Sequence, residues 1–123
     1  MNTTSYSGLH LLANMHNVNL EVPALRNLEI CRSVCISAVN DAGLTIVGDF
    51  FHSFGEGGGV TGVVVLAESH VAIHTWPESA YVTLDVFVCN FNQDNSIRAK
   101  QLYEALIRIF GSADVKRIEV IRD

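Results

Sequence analysis

The sequence predicts an α+β fold: a two-layer α/β sandwich in which a mainly antiparallel sheet carries both helices on one face, in the order roughly βαβββαβ. Three observations lead there. Several short stretches have the length and the β-branched or aromatic content of strands, and two longer stretches place apolar residues near helical spacing. The 123 residues are 49% apolar and 17% charged with only 2 prolines, so the chain buries a real core as one domain, residues 1–123.

Leu9 to Met15 is an apolar run suited to a strand. Pro23 opens a helical stretch with Leu25, Leu28, Val34, Cys35, Ala38 and Val39 near helical spacing, closed by Gly43. Leu44 to Phe51 is β-branched and aromatic, Gly59 to Ala67 holds Val63-Val64-Val65-Leu66, and Tyr81 to Cys89 alternates with Val82, Leu84, Val86 and Val88 on one face. His70 to Thr75 is a further strand, or a continuation of the one before it after a break at Ser69. Asn95 or Ser96 caps a second helix carrying Ile97, Leu102, Ala105, Leu106 and Ile109, ended by Gly111, and Val115 to Ile121 alternates as a last strand. With helices on one face, the other face must meet solvent or another subunit. The apolar composition favours the subunit.

Composition narrows the partners. Eight Lys and Arg against 13 Asp and Glu give a net charge of -5, a poor match to a nucleic-acid backbone or an anionic membrane. A mean hydropathy of +0.27 points to apolar surface hidden between subunits, and hence to a homodimer. The start is polar, without a signal peptide, and no stretch reaches the roughly 20 apolar residues of a membrane span, which places the protein in the cytoplasm. Cys31, Cys35 and Cys89 are too few for a disulfide framework and are read as thiols.

Function-capable residues crowd into Glu68 to Cys89, where Ser69, His70, His74, Trp76, Glu78, Asp85 and Cys89 stand in an otherwise aliphatic chain. Taken singly they have ordinary explanations: a serine at a strand end is a turn residue, a cysteine in an apolar strand a small hydrophobe, Trp-Pro a packing corner. Generic sites fit poorly. His70 and His74 lack the Glu of a zinc-binding HExxH helix, and no G-x-S-x-G elbow surrounds Ser69. The run Gly55-Glu56-Gly57-Gly58-Gly59 lacks the Lys of a phosphate loop and precedes a strand, so it reads as a hairpin or active-site loop. No metal is expected.

The stretch Gly59-Val60-Thr61-Gly62 through Glu68-Ser69-His70-Val71-Ala72-Ile73-His74-Thr75-Trp76-Pro77-Glu78, followed by Asp85-Val86-Phe87-Val88-Cys89, closely resembles the prokaryotic S-adenosylmethionine decarboxylases. These are pyruvoyl-dependent enzymes of polyamine synthesis. The resemblance extends to Gly8-Leu9-His10-Leu11, Phe51-His52-Ser53-Phe54, Cys89-Asn90-Phe91 and Asp94-Asn95-Ser96, and so covers nearly the whole chain.

It implies self-cleavage between Glu68 and Ser69 into a β chain, 1–68, and an α chain, 69–123. The Ser69 hydroxyl attacks the Glu68 carbonyl, and β-elimination and hydrolysis leave a pyruvoyl group in place of Ser69. Attack builds an oxyanion and elimination needs a proton removed, roles the resemblance gives to the Thr61 hydroxyl and the His74 base. In turnover the pyruvoyl carbonyl would form a Schiff base with S-adenosylmethionine, with Cys89 as the acid that reprotonates Cα. Phe54 resembles the residue that stacks on adenine and Glu78 the one that holds the ribose hydroxyls, with Trp76 shaping the pocket. The product would be decarboxylated S-adenosylmethionine, the aminopropyl donor for spermidine synthesis.

Many relatives carry Ser at Thr61, an acidic residue at Asn14 and a Pro-containing loop where this chain has its glycine run. The alternative readings are a pyruvoyl-dependent arginine or ornithine decarboxylase, or a non-catalytic homologue acting as a binding subunit. On an uninterrupted strand the five-residue spacing puts Ser69 and His74 on opposite faces, so the chain must turn between them or His74 must reach the site another way.

Overall fold

The computed structural model describes residues 7–90 and 93–123, so Phe91 of the resembling stretch lies outside the described residues. The elements are β1 (Gly8–His16), α1 (Leu28–Asp41), β2 (Ile46–Ser53), β3 (Val60–Leu66), β4 (Ser69–Trp76), β5 (Tyr81–Cys89), α2 (Ser96–Phe110) and β6 (Asp114–Arg122). The strands form one sheet in the order β2-β3-β4-β5-β1-β6, and every neighbouring pair is antiparallel. The α+β sandwich is as the sequence predicts, with the order βαββββαβ because 70–75 belongs to a strand of its own.

Two element starts differ from the sequence reading by two residues or more. Pro23 opens only a 3-10 turn, Pro23–Leu25, and α1 starts at Leu28 because Asn27 caps it, its Oδ1 accepting the Ile30 N–H at 3.0 Å. β2 starts two residues later than Leu44 and bulges between Ile46 and Gly48 against β3. Gly43 and Gly111 follow the two helices with φ of +78° and +55°, the left-handed turn that ends a helix without a Cβ penalty.

Alternation decides which residues meet the helices. Leu9, Leu11, Ala13 and Met15 of β1, Val71 and Ile73 of β4, and Val82, Leu84, Val86 and Val88 of β5 are all buried. They meet Cys31, Cys35, Ala38 and Val39 of α1 and Ala99, Leu102, Leu106 and Phe110 of α2. α1 lies over β2 and β3, and α2 over β1 and β5. Full burial of each large side chain contributes about 1.5–3 kcal/mol, whereas the exposed Arg117–Glu104 pair contributes about 0–1, so the apolar layer holds the fold. Cys31 and Cys35 belong to this layer; their mutual hydrogen bond, with burial, raises the Cys35 thiol well above its usual range.

The opposite face of the sheet carries no helix. By strand register all five histidines of the chain, His10, His16, His52, His70 and His74, stand on it. With them are Phe50, Val65, Trp76, Ile118 and Val120, each more than a third exposed.

Candidate active site

Leu66 pairs with Ser69, so Ala67 and Glu68 alone join β3 to β4. Glu68 takes a φ of +64°, a left-handed conformation that costs a residue with a Cβ about 1–2 kcal/mol, so the Glu68–Ser69 peptide bond leaves a strained turn. Ser69 is half-buried, and its Oγ accepts the Cys89 N–H at 3.1 Å. Cys89, the last residue of β5, is half-buried and free. A polar pocket of about 230 Å³ lined by Gly43, Thr45, Glu68, Cys89, Gln93 and Asn95 opens beside this turn.

A second cluster forms at the other end of β4. Thr61 and His74 are direct cross-strand partners on the helix-free face, with Thr61 Oγ1 3.1 Å from His74 Nδ1. The His74 ring lies 5.9 Å from that of Trp76, which lies 5.4 Å from Tyr81. The glycine run is the loop between β2 and β3, closed by Phe54 N–H donating to the Gly59 carbonyl at 3.0 Å. Phe54 enters this loop 63% exposed, and Glu78 sits in the 3-10 turn Pro77–Ser79 between β4 and β5. A cleft of about 320 Å³ is lined by Phe54, Gly58, Gly59, Thr61, Trp76 and Glu78.

Gly59 is required here because any Cβ would run into the Thr75 carbonyl. Thr75, the one polar side chain in the buried set among the described residues, donates to the Leu25 carbonyl at 2.7 Å and accepts the Val60 N–H at 2.8 Å. It ties the floor of the cleft to the first turn of the helical layer.

The two clusters do not meet within one chain. β4 runs unbroken from Ser69 to Trp76, so Ser69 and His74 fall on opposite faces, about 17 Å apart along the strand. No turn intervenes between them; the break lies before Ser69, at Ala67 and Glu68. One chain therefore presents two separate clusters, one with Glu68, Ser69 and Cys89, the other with Phe54, Thr61, His74, Trp76 and Glu78.

A third cluster lies on the helix-free face between them. His10 Nε2 is 3.0 Å from Asp85 Oδ2, His70 and Phe87 stack nearby with ring centroids 5.6 Å apart, and Arg122 covers Phe87 at 5.1 Å. Burial, with the neighbouring His10 and Arg122 side chains and against the pull of Asp85, holds His70 below the usual imidazole pKa. The grouping follows from alternation on β1, β4 and β5 once the register is known, and the register is not written in the sequence. A groove of about 640 Å³ runs between α1 and α2 and contains none of these residues.

Known proteins resemble this chain in sequence and in fold. The S-adenosylmethionine decarboxylase family profile matches residues 9–123. The S-adenosylmethionine decarboxylase proenzyme of Thermodesulfovibrio yellowstonii is 41% identical over 98 residues, 80% of this chain and 70% of the relative. That of Syntrophomonas wolfei is 36% identical over 115 residues, 94% of this chain and 86% of the relative. Among solved structures, the adenosylmethionine decarboxylase from Aquifex aeolicus superposes with a TM-score of 0.81 at 29% identity, over 94% of this chain and 90% of that one. With a family match across nearly its whole length and the same fold in a solved relative, the chain belongs to the S-adenosylmethionine decarboxylase family.

Proposed function

We propose that this chain is a self-processing, pyruvoyl-dependent S-adenosylmethionine decarboxylase that works as a homodimer. The observation that carries the reading is Ser69 itself: a hydroxyl fixed by a backbone donor, one residue past a strained turn and beside a free thiol. The residues fit the group that family membership implies, because its precursor serine stands at a strand start where cleavage of the 68–69 bond severs only a two-residue loop. Once formed, the pyruvoyl group supplies an electrophilic carbonyl for the substrate amine and an electron sink for decarboxylation.

The chain's own residues supply the rest. If His74 Nδ1–H donates to Thr61 Oγ1, the Thr61 proton is left for an oxyanion and the Nε2 lone pair for a proton on carbon, so one 3.1 Å contact orients both processing groups. Cys89, a free thiol at the end of β5, is the proton donor of turnover. Phe54 and Trp76 offer flat faces to adenine, and the Glu78 carboxylate two acceptors to a ribose diol.

Separation of the half-sites is what favours the dimer. Helix-free faces packed by a two-fold axis, with the β4 strands opposed, would lay Cys89, which alternation puts on that face, and the Glu68–Ser69 turn at the sheet's end beside it over the Thr61–His74–Glu78 end of the other copy. Each cleft alone is at or below the low end of the about 300–1,000 Å³ of a ligand pocket, and joining them accommodates a nucleoside and an amino acid together. The Phe50, Val65, Ile118 and Val120 side chains on that face would be buried by the same contact.

Intact-mass spectrometry of the purified chain tests the reading. The expected result is two chains, 1–68 and 69–123, the second lighter than a serine-initiated peptide by one ammonia. A single chain after prolonged incubation would leave a non-catalytic binding subunit as the better reading.

A further inference from the structure

Asn95 stands at the N-cap of α2, yet its side chain makes no capping bond, and Asp94 Oδ1 takes the Ser96 N–H at 2.9 Å. The Asn95 amide is turned back to the end of β5 instead. Its Nδ2 donates to the Cys89 carbonyl at 3.2 Å, and its Oδ1 accepts from Gln93 Nε2 at 3.2 Å and Arg98 Nη1 at 3.3 Å. Its own N–H donates to Asn90 Oδ1 at 2.8 Å, which fixes the residue after Cys89 as well.

Register explains why the Cys89 peptide is available. His70 pairs with Phe87, so the position opposite Cys89 is Glu68. The next residue, Asn90, gives its N–H to the Ser7 carbonyl on the β1 side at 2.9 Å, and alternation along the strand turns the Cys89 N–H and C=O towards β4. Glu68 has left the ladder at φ +64°, and both Cys89 groups find other partners: the N–H donates to Ser69 Oγ at 3.1 Å and the carbonyl accepts from Asn95.

We propose that the peptide N–H of Cys89 stabilises the departing oxygen of self-cleavage and that Asn95 is the positioning residue that holds it there. This rests on the processing reading above. In the first step Ser69 Oγ bonds to the Glu68 carbonyl carbon, its proton passes to the Ser69 nitrogen, and the C–N bond breaks to leave an ester. In the second, a base takes the Ser69 Cα proton, the C–H pair becomes the Cα=Cβ bond, and the Cβ–Oγ bond breaks with its pair staying on Oγ. That oxygen leaves as part of the Glu68 carboxylate, and the remaining enamine takes up water and releases ammonia to become the pyruvoyl group. The atom bonded to the Cys89 N–H is thus the one on which negative charge develops. A donor to a neutral hydroxyl becomes a donor to an anion, a stronger bond in the transition state than in the ground state.

The test replaces Cys89 in the full chain by its α-hydroxy acid counterpart, 3-mercaptolactic acid, which keeps the thiol and removes only the N–H. Chain cleavage is followed by intact mass, and the ester at 68–69 by hydroxylamine, with product masses separating it from the introduced ester at 88–89. Cleavage should slow about ten- to hundred-fold, with the 68–69 ester accumulating. Asn95→Asp, nearly isosteric, keeps the acceptor for Gln93 and Arg98 and loses the donor to Cys89. It should slow cleavage about ten-fold with the same ester build-up and an unchanged Tm. Wild-type rates in both chains, or slowing without ester, would overturn the assignment to the departing oxygen. An uncleaved wild type would overturn the self-processing reading and this one with it.

Discussion

Ser69→Ala is expected to give one uncleaved 123-residue chain with no decarboxylase activity and near-native stability. On the self-processing reading the hydroxyl is both the nucleophile that opens the Glu68–Ser69 bond and the group whose loss creates the electrophile, so no other side chain would compensate. Its structural contribution is small. Removing it deletes the one bond to the Cys89 N–H at a half-buried strand end, about 1 kcal/mol, against a typical domain stability of about 5–15. Intact mass and thermal unfolding read the two effects separately. Cleavage at 68–69 in this variant would show that Ser69 is not the processing serine.

The second large effect is a rescue. Ser69→Ala removes one half-site and His74→Ala the other, and each variant alone should be inactive. In a mixed dimer the two defects fall together in one composite site, which leaves the other assembled from an intact Ser69 and an intact His74. Coexpression with random pairing makes half of the dimers mixed and repairs one of their two sites, so activity should return to about a quarter of wild type. The same quarter of the chains should appear as cleaved His74→Ala protomers. If coexpression restores neither cleavage nor turnover, both half-sites act within one chain, and the roughly 17 Å between Ser69 and His74 along β4 must close by a rearrangement of that strand.

Much of this fold is legible because alternation is a strong signal. Val82, Leu84, Val86 and Val88 announce both the strand and its buried face, and β5 spans the same residues in the structure as in the sequence reading. The turn at Ala67 and Glu68 is not legible: hairpins of this length are signalled by Asn-Gly or Asp-Gly, and here a glutamate takes the positive φ. That single turn decides whether 70–75 continues β3 or forms β4. It also moves the break from beyond Ser69 to just before it, and so sets Ser69 and His74 on opposite faces.

The identities of the site residues came through the resemblance, since a serine, a histidine and a cysteine on strands have common packing explanations. What the sequence does not carry is pairing. Thr61 and His74 are 13 residues apart in the chain and 3.1 Å apart in space, and His10 and Asp85 are 75 apart and 3.0 Å apart. Asn95 misleads for a different reason. Its place before a helix satisfies every rule for a cap, but the Cys89 carbonyl competes for its side chain and Asp94 takes over the cap.

The most direct measurement of the central claim is CO2 release from carboxyl-labelled S-adenosylmethionine, arginine and ornithine, offered side by side to the wild type and to Glu78→Gln. Phe54, Trp76 and Glu78 line one cleft, and arginine and ornithine have neither a base to stack nor a diol to bind. Wild type should release label from S-adenosylmethionine alone. Glu78→Gln should lower its kcat/KM roughly ten- to hundred-fold, the value of about 1–3 kcal/mol for a charged acceptor on a diol. Release from arginine or ornithine and none from S-adenosylmethionine would contradict the account and mark the Phe54–Glu78 cleft as a pocket for something other than a nucleoside.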